Sequence, residues 1–181
     1  MRELLIVIGL CYILTSCQSE VNLFKVDKSK IGVKYKRTRG TIFNDTYPFI
    51  NFLMYDLDST KRWTPNSNDI ILAEKILKEQ IKDANKNRPN QMNGCPTIHK
   101  HLKAYFRQYV GLINSNGHKV IHINMSWDKY TLKDRIVGNS DSRIDFKSDY
   151  SMTLDGCSYY WQVSIDMNDK RISGFGVNGV G

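Results

Sequence analysis

Ile70, Ala73, Leu77, Ile81 and Ala84 recur at steps of three and four, which sets them on one face of a helix that needs an apolar partner. Asn66 is a good N-cap, and Asp69 stands three residues later in a capping-box position. The spacing predicts a helix from about Ser67 to Asn85, stopped before Arg88-Pro89, with Glu74 and Lys78 as an i,i+4 pair on another face. After it the period changes to two. Tyr105 to Ile113 and Lys119 to Met125 flank Asn114-Ser115-Asn116-Gly117, a hairpin turn with a glycine available for positive φ. Tyr159, Trp161, Val163 and Ile165 then alternate with Tyr160, Gln162, Ser164 and Asp166 as a half-buried strand; Met167 to Lys170 turns, and Arg171 to Val177 returns. The expected fold class is therefore α+β: one main helix packed on an antiparallel sheet of about four strands in a meander. Three stretches stay ambiguous. Lys25 to Lys36 alternates weakly, as a tether or an edge strand; Phe49 to Leu57 fits a strand or a short buried helix; Asp128 to Asp149 is charged and looks like a long loop.

The N-terminus adds an address. Leu4 to Leu14 is an apolar run of eleven residues, which at ~1.5 Å per residue spans about half of a ~30 Å hydrocarbon core. That length suits the hydrophobic region of a secretory signal peptide, with Arg2 and the α-amino group as its positive start. The run ends in Leu14-Thr15-Ser16-Cys17, which resembles the bacterial lipobox. The resemblance implies that Cys17 is acylated and that the peptide before it is removed. Residues 1–16 are then the signal, 17–40 the lipidated cysteine with a basic tether, and 41–181 a single α+β domain. Two or more acyl chains give stable anchoring. Gln18 after the cysteine, by the same resemblance, points to the outer membrane rather than retention in the inner one.

The 181 residues carry a net charge of +8, unevenly placed. Val21 to Gly40 holds seven basic residues and one acid, residues 41–60 carry −3, residues 61–107 carry +6, and the remainder is neutral. A basic stretch beside a lipid anchor adds about 1 kcal/mol per Lys or Arg on an anionic leaflet, so lipid phosphate is a natural counter-charge; a solvated tether is the alternative. Nucleic acid is excluded as a partner by the export signal and by the lack of any helix-turn-helix, zinc-finger or RNP pattern.

Chemistry-bearing residues are few. With Cys11 removed and Cys17 acylated, Cys95 and Cys157 are the remaining thiols. In an oxidising compartment they are candidates for a disulfide closing about sixty residues, worth ~4 kcal/mol; two buried thiols are the alternative. Cys95 with His99 is formally a nucleophile–base pair, but it needs Cys95 free. His99 and His101, and likewise His118 and His122, would share a face on extended backbone. Zinc needs three or four ligands at ~2.0–2.3 Å, and no HExxH or paired CxxC occurs, so hydrogen-bonded histidines carry more weight. No nucleophile elbow, P-loop or Rossmann fingerprint is present, and no catalytic residue, metal or cofactor is assigned. Tyr160, expected to face outward, and Arg107 are the candidate binding residues.

Several segments together resemble an uncharacterised family of small lipoproteins of the Gram-negative envelope. They are Trp63-Thr64-Pro65 with Asp69-Ile70 and Ala73-Glu74, Gly94-Cys95-Pro96, Arg107-Gln108-Tyr109 with Gly111, Asp155-Gly156-Cys157 with Tyr159-Tyr160-Trp161, and Val177-Asn178-Gly179. The resemblance covers roughly residues 63–179 and implies a shared fold without an established activity. The expected function is a membrane-anchored envelope lipoprotein, a non-enzymatic binding, inhibitory or immunity-like module held by lipid at Cys17 and facing an envelope protein partner. The alternative is a small envelope hydrolase using histidines with a metal, or Cys95.

Overall fold

Asn66 ends extended backbone and starts the helix. Its side chain accepts from the amides of Asn68 and Asp69, and Asp69 Oδ2 accepts from the Asn66 amide at 2.9 Å, closing the capping box. The helix, α1, spans Ser67–Ala84. It belongs to a computed structural model that describes residues 21–48, 57–91, 94–129 and 148–180. The expected signal peptide and Cys17, the apolar stretch 49–56 and residues 130–147 of the expected loop lie outside the described residues. No helix among the described residues is long and apolar enough to cross a membrane.

One sheet carries eight strands: β1 (Val21–Lys25), β2 (Lys30–Tyr35), β3 (Thr38–Phe43), β4 (Leu57–Trp63), β5 (Tyr105–Asn114), β6 (Lys119–Trp127), β7 (Tyr160–Asp166) and β8 (Arg171–Val177). The expected four-strand meander is β5 to β8, all antiparallel. The sheet is twice that wide. Val21 to Gly40, expected as a basic tether, instead belongs to β1, β2 and β3, an antiparallel unit. Its alternation is weak because Lys30, Gly32 and Lys34 share the face away from the helix in β2, and Gly40 interrupts the inward row of β3. Gly40 is needed, since a Cβ there would meet the Arg107 carbonyl oxygen at 2.6 Å; one on Gly32 would meet only the exposed Phe24 ring, which can swing aside.

This unit joins the meander by the one parallel pairing among the described residues, β3 on β5, with Arg39 opposite Phe106 and Phe43 opposite Val110. The same edge of β5 then takes β4, antiparallel, with Trp63 opposite Gly111. Two strands thus meet end to end along one edge. Arg62 seals the junction: its guanidinium donates to the Phe43, Asn44 and Tyr47 carbonyls, and burial pushes its pKa below the ordinary value.

Helix α1 packs against β8, β1 and β7, and β1 and β8 are the two outer strands, so the sheet curls around the helix. The core between them joins Ile70, Ala73, Ile76, Leu77 and Ile81 to Ile42, Tyr105, Tyr109, Ile121, Ile123, Met125, Trp161, Val163 and Ile165. The other face is open at β1 and β2, where Phe24 and Lys34 are exposed, but closed over the middle strands. Thr41, Gln108 and Asn124, opposite one another across β3, β5 and β6, are all buried. Backbone of residues 149–151 covers them: Gln108 donates to the Asp149 carbonyl at 2.7 Å and Asn124 to the Ser151 carbonyl at 2.6 Å. Tyr47 and Tyr150 pack edge-on to Phe43 on this side.

Candidate functional site

Glu74 is not on the helix face that Lys78 occupies. It lies four residues after Ile70 and three before Leu77, in the middle of the buried stripe, and is 7% exposed. Its Oε1 accepts from Arg107 Nε at 2.6 Å and from the Tyr109 hydroxyl at 2.8 Å. Arg107 also donates to the carbonyls of Tyr105 and Leu102. Burial alone would lower the Arg107 pKa; the Glu74 carboxylate, helped by Tyr109, outweighs it and holds the guanidinium above its ordinary value. Burial first, then the Glu74 charge, pushes the Tyr109 hydroxyl far above 10. Arg107, a candidate binding residue from the sequence, is enclosed and committed to Glu74.

Cys95 and Cys157 form a disulfide with Cα atoms 6.3 Å apart, joining the loop after α1 to the start of β7. Three sequence motifs converge here. The Cys157 amide donates to the Gly179 carbonyl at 2.7 Å, the Ser158 hydroxyl to the Pro96 carbonyl at 2.6 Å, and Asn178 to the carbonyls of Thr153 and Asp155. Gly156 supplies a φ of 91° at the turn into this knot. The bonded sulfur removes the Cys95–His99 nucleophile pair. His99 instead faces Asn85 at 3.2 Å, and Asn85 exchanges two hydrogen bonds with Gln91, tying down the chain after the helix. Burial, then the charges of Arg88, Lys100 and Lys82, lowers the His99 pKa.

The four histidines do not converge. His122 is fully buried on β6 with Nδ1 3.1 Å from the Ser164 hydroxyl, and burial holds its pKa down at about 4. His101 sits edge-on to Trp127. His118, in the β5–β6 turn, has Nδ1 2.9 Å from Asp166 Oδ2 and 3.9 Å from Asp169 Oδ1 in the neighbouring β7–β8 turn. These three form the one group of metal-capable side chains among the described residues. Asp166 already serves the fold: its Oδ1 accepts from the Asn168 and Asp169 amides. Burial works to raise its pKa, but those amides and His118 together hold it low.

At the opposite end of the sheet, where β1 starts, an aromatic stack runs from the core to the surface. Trp127 packs edge-on to Tyr105, His101 and Tyr159, and Tyr105 to Trp161. Tyr160 is half-buried beside Gly156, whereas Tyr159 is exposed. Sequence reasoning passed over Trp127, whose position just past an alternating strand was its only signal. It also placed Glu74 wrongly, although heptad spacing to Ile70, Leu77 and Ile81 marks it as inward. The chain matches no protein family, no curated protein and no solved structure.

Proposed function

We propose that the chain is a lipid-anchored, non-enzymatic module of the bacterial envelope, acylated at Cys17 and binding a protein partner there. The observation that carries this reading is the Cys95–Cys157 disulfide, because such bonds persist in oxidising compartments outside the cytosol. It agrees with an N-terminus that reads as an export signal ending in Leu14-Thr15-Ser16-Cys17. The non-enzymatic part is supported by how the reactive groups are used: both domain thiols are bonded to each other, Arg107 is held by Glu74, and His99 by Asn85.

Expression of the full chain with radiolabelled palmitate tests the anchor. The wild type is expected to take up label and enter the detergent phase, and Cys17→Ala to do neither. A Cys17→Ala chain that still partitions with membrane would overturn lipidation as the anchor. Stoichiometric zinc in the purified protein, lost in His118→Ala, would overturn the non-enzymatic reading in favour of a metal-dependent hydrolase.

A further inference from the structure

We propose that the end of the sheet from which the chain leads back to Cys17 is a second, non-covalent membrane contact, seated on anionic lipid headgroups. The inference rests on acylation at Cys17 and adds a surface to it. Val21 opens β1, and four residues of chain reach about 14 Å at most, so an acylated Cys17 keeps this end within that distance of the bilayer. There is no room for a long tether.

The strand register identifies what shares this end. Val21 pairs with Tyr35, and the β2–β3 turn beside it presents Lys36 and Arg37, both exposed. Because β3 runs parallel to β5, the start of β5 lies here too, preceded by exposed Lys100, His101 and Lys103. The end of β6 adds Trp127 and exposed Lys129. Among the described acids of this end, Asp128 is bound to Arg39 at 2.7 Å and Asp155 is exposed, leaving a clear positive excess.

Apolar groups point the same way. Of the five exposed large hydrophobic residues among those described, Leu154 (67%), Val180 (64%) and Tyr159 (37%) belong to this end, since the Gly179 amide donates to the Leu154 carbonyl and the Asn178 amide to the Tyr160 carbonyl. Basic side chains around exposed aliphatic and aromatic ones suit the headgroup layer, where cations meet phosphate and rings lie at the polar–apolar boundary. The opposite end carries Phe24 and Val26 but differs in charge: its turns mix Asp27 with Lys28, and Asp169 with Lys170 and Arg171.

Full-length Cys17→Ala, which carries no acyl chain, is mixed with vesicles of phosphatidylcholine alone or of phosphatidylcholine with phosphatidylglycerol. The N-terminal segment, with Arg2 and the α-amino group, is common to every variant, so the change in the anionic-over-neutral binding ratio between variants reads the basic end. A ratio well above one that collapses in high salt is expected. Adding Lys36→Gln, Arg37→Gln, Lys100→Gln and Lys103→Gln should lower it on the order of fivefold per charge. The same loss of charge at the far end (Lys25→Gln, Lys28→Gln, Lys170→Gln, Arg171→Gln) should leave most of the ratio intact. A ratio near one overturns the proposal and favours an acidic protein as the partner of this end; equal losses in both variants also overturn it, by reducing the effect to net charge. Failure of the palmitate test with the ratio preserved removes the anchor alone, whereas the reverse pattern removes only this contact.

Discussion

Glu74 is the residue on which the interior turns. A carboxylate at the centre of an apolar helix face survives because Arg107 and Tyr109 reach it from the central strand, and Arg107 in turn is satisfied by backbone carbonyls. Removing one partner leaves the other charge buried. Glu74→Leu is therefore expected to destabilise the protein by about 3–5 kcal/mol, measured by urea unfolding. Glu74→Leu with Arg107→Met should unfold at higher urea than Glu74→Leu alone, since the stranded guanidinium is gone. The sequence carries the needed sign in plain form, a Glu spaced four and seven residues from Ile70 and Ile81. Its exposed-looking i,i+4 relation to Lys78 competes with that spacing, and the deciding fact, an arginine 33 residues later, is not local.

Among elements, β5 is unlike any other strand because one of its edges serves two partners. At the meeting point Gly111 lets Trp63 approach, and the Trp63 indole donates to the Leu112 carbonyl at 3.0 Å. A Cβ at Gly111 would stand 2.2 Å from the Trp63 carbonyl oxygen, with no flexible group to move aside. Gly111→Ala is thus expected to cost about 1–3 kcal/mol and to raise amide exchange in Arg62 and Trp63 before it does so in β6 or β7. Helix α1 and strands β5 to β8 were readable because each signal lies within its own segment: a cap, an apolar stripe, an alternation between turns. Strands β1 to β3 were not, since strands of five or six residues with basic side chains in and between them alternate like a tether. The parallel pairing of β3 with β5 has no local signature at all. The covered middle of the far face was equally hidden, because Gln108 and Asn124 look solvent-facing until residues 149–151 lie over them.

On the scale of the whole molecule, the disulfide joins the segment after the helix to the entrance of β7 across a sequence separation of 62 residues. Loop-closure entropy makes such a link worth about 4 kcal/mol. The reduced protein, or Cys95→Ser with Cys157→Ser, should keep its far-ultraviolet dichroism and unfold at clearly lower denaturant; unchanged stability would show that the chain is already confined there without the bond. The motifs quoted from the sequence fall into three knots, at the β4–β5 junction, at Glu74–Arg107–Tyr109, and around the disulfide. All three hold the fold, which explains why they suggest architecture more readily than chemistry.

The β3–β5 pairing also sets a timetable. The first three strands leave the ribosome, and on the export reading cross the membrane, well before Phe106 to Val110 exist to receive them. Until then β3 offers a bare row of amides and carbonyls, an invitation to any passing strand. A chain delivered this way profits from a holding chaperone until its midpoint arrives, and a nascent fragment ending before Tyr105 is the form most prone to aggregate.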